Sequence, residues 1–239
     1  MARVNLERRA QIGLAKRART RAAILQAARG CYAAQNGTPV TVESVMQAAG
    51  LAKGTFYVHF EDLPALEAEL GEALIQEMDE RLQPARLTAD HPLTRLATAI
   101  TILLRDLAGA RTQARLVVRA AVTVPEVRDA MRTHLRQDLA DAEAAGLLAL
   151  PSVDLAARLV TALCVQAARE IGDGRINVST LPDIVRAILR LIGCAPSDAA
   201  MHESRAARHA DAFAQETAAT DGKKRPRRMA RAPQGRPRQ

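Results

Sequence analysis

The sequence predicts an all-α protein, with an N-terminal three-helix helix-turn-helix domain followed by a larger helical domain. Three observations carry this. From Pro92 onward the segments have apolar residues at helical spacing, and none alternates as a strand would. The periodic segments are punctuated by Gly109, Pro125, Gly146 with Pro151, Gly172-Asp173-Gly174 and Pro196. And the stretch TVESVMQAAGLAKGTFYVHF, Thr41 to Phe60, reads as two short helices joined by a tight turn.

Residues 1–19 form a basic arm, expected to be flexible, although Leu6, Ile12 and Leu14 could extend a helix backwards. A first helix is expected from Thr20 to Gln35, with Ile24, Ala28, Cys31 and Tyr32 as its buried stripe and Asn36-Gly37 closing it. In the next helix Thr41 supplies a hydroxyl cap, and Val45, Met46 and Ala49 share one face. Gly50 ends that helix where a positive φ is needed, and Leu51 plugs the turn into the core. On the second short helix, Phe56 and Phe60 are four apart and face inward. Lys53, Thr55, Tyr57, Val58 and His59 are left for solvent or a ligand. Asp62 and Pro64 start a fourth helix reaching to Leu82. The head domain therefore covers residues 20–66.

The segment from Pro84 to Pro92 reads as a linker. Helices are then expected over Pro92–Ala108, Thr112–Val122, Pro125–Ala145, Asp154–Ile171 and Leu181–Ile192, making a second domain of residues 67–195. The last two of these are apolar around most of their circumference, so each must be buried on more than one side. From Pro196 to residue 239 order is expected to fade into a basic tail, with room for a helix over His202–Thr217. GKKRPRRMARAPQGRPRQ has too little apolar content to fold. Gly235-Arg236-Pro237 in it is similar to the core of an AT-hook, with Gln234 where an arginine usually stands.

Charge is concentrated at the two ends. Residues 1–21 carry a net +6 and residues 222–239 a net +8, which leaves the body at −6 within a total of +8. Basic arms on an acidic body suit attraction to a polyanion, and nucleic acid is the natural partner. Three cysteines, Cys31, Cys164 and Cys194, have no metal-like spacing and suit a reducing compartment. The run Leu96–Leu104 is too short to span a bilayer, and the charged N-terminus has no apolar signal segment. A cytoplasmic location and no membrane are expected. No GxGxxG after a strand, P-loop, HExxH or CxxC is present, so no enzyme, cofactor or metal is expected.

GLAKGTFYVHF closely resembles the recognition-helix signature of TetR-type (tetracycline-repressor-like) transcriptional regulators. AAILQAARGCYAAQNG and DLPALEAEL also fit that family's first and fourth helices, so the resemblance covers roughly residues 20–70. It implies phosphate contacts at Thr41, Tyr57 and His59, and approach to base edges at Lys53, Gly54, Thr55 and Val58. The residue chemistry agrees: hydroxyl, phenol, imidazole and ammonium groups donate to phosphate oxygens, and valine suits a thymine methyl. Val45, Ala49, Gly50, Leu51, Phe56 and Phe60 would form the core of the motif. Two positions depart from the pattern. Ala52 stands where a capping serine or threonine is common, and Leu63 where a lysine usually grips phosphate.

The resemblance further implies a homodimer through the last two core helices, with Leu159, Leu163, Ile184, Ile188 and Leu191 at the interface. Burial within one chain is the other explanation of those apolar faces. It also implies a cavity for a small-molecule inducer. Between Glu61 and Ala212 there is no Phe, Tyr or Trp, so an aliphatic or acidic ligand is expected rather than a flat aromatic one. Arg115, Arg119, Gln166 and Arg169 are its candidate polar handles; the ligand-binding residues are otherwise unknown. The function implied is a dimeric repressor released from operator DNA by a ligand. A helical protein-interaction adaptor, or a ligand-independent DNA-binding protein without a pocket, are the alternatives.

Overall fold

The computed structural model describes residues 2–34, 39–123 and 125–224. The Asn36-Gly37 turn and the AT-hook-like tripeptide lie outside these residues. Ten α-helices and no strand occur among the described residues. In chain order they are α1 (Ala2–Ala33), α2 (Val42–Ala48), α3 (Lys53–His59), α4 (Leu63–Leu87), α5 (Pro92–Gly109), α6 (Arg111–Thr123), α7 (Pro125–Ala144), α8 (Val153–Gly172), α9 (Leu181–Leu191) and α10 (Pro196–Lys224). A 3₁₀ turn, Val178–Thr180, precedes α9.

The head is α1–α3 with the start of α4. Ile24, Ala28 and Tyr32 of α1 close on Val45, Met46, Phe56, Phe60 and Leu66, all buried. The stripe predicted on α1 is therefore the one used, except that Cys31 is only half-buried. The helix itself begins at Ala2, so the segment expected as a flexible arm continues α1. Its Ala, Arg, Leu and Lys residues are good helix formers, and Gly13 is the weakest position in the segment.

The body surrounds α5, which packs on α4, α7, α8, α9 and α10. One of its buried threonines bonds locally: the Thr98 hydroxyl donates to the Thr94 carbonyl at 2.8 Å. Helix α4 runs without a break from the head into the body. Leu66 and Leu70 bury at one end, and Leu74, Ile75, Met78 and Leu82 further along.

Two predicted boundaries are corrected. The expected linker from Pro84 is helical as far as Leu87. Pro84 is exposed, and so is Glu80 one turn earlier, whose carbonyl loses its donor. The second correction is α10, a 29-residue helix where order was expected to fade. Its buried stripe is Ala199, His202, Glu203, Ala206 and Ala210, at three- and four-residue spacing. Small side chains let it approach α5 and α9 closely, and polar pairs fix it. His202 Nδ1 lies 2.8 Å from the Thr94 hydroxyl, its ring stacks on His91 at 4.3 Å, and Arg186 on α9 donates to Glu203 at 3.1 Å. Burial, and the positive neighbours at this contact, hold both imidazoles below the ordinary histidine range.

Candidate nucleic-acid interface

The entry to the motif is a capping box. The Thr41 hydroxyl accepts from the Ser44 N–H at 3.1 Å, and the Ser44 hydroxyl oxygen accepts from the Thr41 N–H at 3.0 Å. Thr41 is exposed, so its own O–H remains free to donate outward. The exit of α2 is a Schellman turn. The Leu51 N–H donates to the Met46 carbonyl and the Gly50 N–H to that of Gln47, with Gly50 at φ +66°. Leu51 packs against the core beside the buried Val45 and Met46, as expected; Ala49 is half-buried. This turn fixes the angle at which α3 leaves α2.

Helix α3 has one buried face and one open face. Phe56 and Phe60 are buried, while Tyr57 and Val58 are both 58% exposed. Lys53 and Gly54 are exposed; Thr55 and His59 are half-buried. Ala52 supplies no side-chain cap. Gly54 has no internal reason to be glycine. It is helical, and a Cβ added there would meet nothing within 4 Å. A glycine within a helix costs up to about 1 kcal/mol against alanine, and this one leaves open space on the exposed face. Lys53 is held by Glu43 at 2.5 Å, a hydrogen bond that raises the lysine pKa and lowers that of the carboxylate. Both groups are in solvent, so this pair opens readily to a competing phosphate.

Two arginines absent from the predicted set complete the site. Arg17 donates to the Val58 carbonyl at 3.1 Å, and Arg21 donates to the His59 carbonyl. These carbonyls belong to the last turn of α3, where acceptors lack helical partners and the dipole favours cations. Arg21 also stacks over the Phe60 ring at 4.2 Å and bonds Glu69 on α4 through Nε at 3.0 Å. It thus ties the recognition helix to α4. Desolvation, followed by these two positive neighbours, pushes the His59 pKa below the ordinary histidine value. Leu63 packs against the core, and Asp62 caps α4 by accepting from the Ala65 N–H at 2.7 Å.

Helix α4 holds its neighbours through its own acidic residues. Glu67 accepts from the buried Tyr32 hydroxyl on α1 and pairs with Arg119 on α6 at 2.8 Å. Glu77 pairs with Arg29 on α1. Gly71 lets α6 come close, since a Cβ there would sit 2.7 Å from that of Ala120. At its far end, α4 with α5, α7 and α8 encloses a cavity of about 100 Å³. Its walls include Leu82, Leu96, Ile100, Leu103, Leu135 and Val160, and its polar groups are Asp79, Arg86, His134, Asp138 and Thr161. Asp138 accepts from Arg86 and from Arg95, both at 2.7 Å, and Arg86 is buried with it. Cys164 also lines the cavity; burial pushes its thiol up to about 12.

No protein-family model and no curated protein matches the chain. Solved structures do. RolR in complex with resorcinol is 21% identical, with 80% of this chain and 96% of that one covered and a TM-score of 0.65. FadR of Thermus thermophilus, described as a TetR-family transcriptional repressor and solved with lauroyl-CoA, is 17% identical, covers 71% and 93%, and has a TM-score of 0.56. The fatty acid degradation regulator FadR of Bacillus halodurans is 16% identical, covers 70% and 96%, and has a TM-score of 0.55. The chain has the TetR fold. At these identities the likeness is one of fold.

Within the TetR fold, α8 and α9 divide their apolar residues between two sides. On α9, Leu181, Val185, Ile188 and Leu189 are buried within the chain. Ile188, expected at a dimer interface, is therefore a core residue at 1% exposure. Ile184 is half-buried and Leu191 is 38% exposed. On α8, Leu155 and Leu163 are exposed and Leu159 is half-buried, a stripe at four-residue spacing. The expected polar handles do not line the cavity. Arg115 donates to the Gly172 carbonyl at 3.0 Å, Arg119 pairs with Glu67, Gln166 donates to Glu170 at 2.7 Å, and Arg169 is exposed. Sequence periodicity identified a face of each helix but not which neighbour covers it. Among the described residues no helix is long and apolar enough to cross a membrane.

Proposed function

We propose that the protein is a dimeric DNA-binding transcriptional regulator, a repressor that leaves its operator when a small molecule enters the α4–α5–α7–α8 cavity. The observation that carries this is the open face of α3. It sets Thr55, Tyr57 and Val58 around an unneeded glycine, on a helix whose last carbonyls are pinned by Arg17 and Arg21. Thr41, Lys53, Tyr57 and His59 supply phosphate donors, and Gly54, Thr55 and Val58 approach base edges. The outward stripe of Leu155, Leu159 and Leu163, with Ile184 and Leu191 beside it, supports pairing of two copies. A two-fold pair would space its recognition helices one DNA turn apart, about 34–36 Å.

The cavity supports a compact ligand. Its walls are aliphatic, but Asp79 and Asp138 would repel an acid, and Arg86 is already bonded to Asp138. A small neutral molecule with hydroxyl donors, an aromatic one included, suits these acceptors, which departs from the aliphatic or acidic ligand expected from sequence. Coupling then runs along α4, which carries Asp79, Leu82 and Arg86 at the cavity and Glu67, Glu69 and Glu77 against the head. A ligand that favours one placement of α4 changes the head spacing by its differential affinity.

The test starts by selecting a duplex from a random pool with the full-length protein. Resorcinol, the ligand bound to RolR, is a compact dihydroxy compound and serves as the first probe. Release of the selected duplex by resorcinol, but not by benzoate, is the expected result. Release by benzoate alone would contradict the ligand chemistry, and failure to select any duplex would contradict DNA binding.

A further inference from the structure

Helix α1 is longer than the head requires. Among its described side chains the first buried one is Ile24, yet the helix spans Ala2–Ala33. Residues 11–19 are exposed without interruption, and so is Arg8. This stretch has no apolar stripe: Ile12 and Leu14 are both exposed, and two residues apart they lie on nearly opposite sides of a helix. Such a surface offers nothing to a membrane or to a packed protein partner.

What it offers is charge. Arg3, Arg8, Arg9, Lys16, Arg17 and Arg19 stand against the single acid Glu7, at positions that spread around the helix. Among the described residues, the ion pairs of α1 are those of Arg21 and Arg29, further along. Position then decides the partner. Arg17 and Arg21 fasten α1 to the C-terminal end of α3, so residues 2–16 project past that end by about 22 Å at 1.5 Å per residue.

We propose that residues 2–16 are a second DNA-binding element, a basic helical rod that follows the phosphate backbone outside the groove entered by α3. The proposal rests on the regulatory reading above and extends it. The rod adds affinity without base preference and lengthens the protected site by about six base pairs on each outer flank, at 3.4 Å per base pair.

The experiment compares the full-length protein with R3Q/R8Q/R9Q/K16Q on the selected duplex and on a scrambled one, across a salt series. Glutamine preserves helix propensity, and Arg8 and Lys16 are exposed. The log–log salt dependence should become shallower by about two units or more, at about one unit for each phosphate no longer neutralised. Affinity for both duplexes should fall in parallel, with the melting temperature unchanged. A chain beginning at residue 16 should show the same shortened hydroxyl-radical footprint. An unchanged slope and footprint, with wild-type binding intact, would overturn the rod and leave the regulator standing. A loss confined to the selected duplex would also overturn it. A wild-type protein that selects no duplex would overturn both.

Discussion

Asp138→Ala is expected to destabilise the protein by about 3–5 kcal/mol, the cost of breaking a buried ion pair from one side. The carboxylate is 2% exposed and bridges Arg86 on α4 with Arg95 on α5. Without it, the buried Arg86 keeps the His134 carbonyl at 2.9 Å, while its Nε already lacks a partner. An uncompensated guanidinium in the body is costly because it is cut off from water. The melting temperature should drop by about 10 °C for a domain of this size. Asp138→Asn, which keeps an acceptor oxygen, should lose less. The double replacement Arg86→Leu with Asp138→Leu should recover most of the loss, since an apolar pair often replaces a buried ion pair without penalty. A loss below about 1 kcal/mol for Asp138→Ala would show that water reaches the site.

Gly54→Ala is expected to separate stability from function. The backbone there is helical and the added methyl meets nothing in the chain, so stability should hold or rise by up to about 1 kcal/mol. Affinity for the selected duplex should fall about tenfold or more, because a Cβ would occupy the space through which α3 nears the bases; a good pairing with one base edge is worth about 1–3 kcal/mol. Tyr57→Ala should weaken binding without the gain in stability. Wild-type affinity in Gly54→Ala would mean that DNA does not approach at this position. Thermal melting and fluorescence anisotropy, run on the same samples, separate the outcomes.

The head was the most legible part of the sequence. Its signals are local: a threonine cap, a positive-φ glycine, and apolar residues at three- and four-residue spacing each act within one or two turns. Val45, Gly50, Leu51, Phe56 and Phe60 stand where that spacing placed them. Helices α5 to α9 likewise fall within a residue or two of their glycine and proline breaks. What was hidden depends on partners distant in sequence. Helix α10 buries alanines and a histidine, which give almost no apolar signal but allow close helix packing. Pro84 reads as a break until its solvent-facing position is known. Arg17 and Arg21 were counted as charge, although their four-residue spacing already placed them on one face. The polar end of the cavity joins residues about 50 positions apart, as Arg86 to His134 shows, and no spacing rule reaches that far.

Helix α3 is expected to enter the major groove, twice per symmetric pair. Dimethyl sulfate probing of the selected duplex tests it most directly, because the reagent reads guanine N7 in that groove. Two clusters of protected guanines about 34–36 Å apart, both lost in Tyr57→Ala, are the predicted result. Guanines left fully reactive under saturating protein, or one cluster with no symmetric mate, would contradict it.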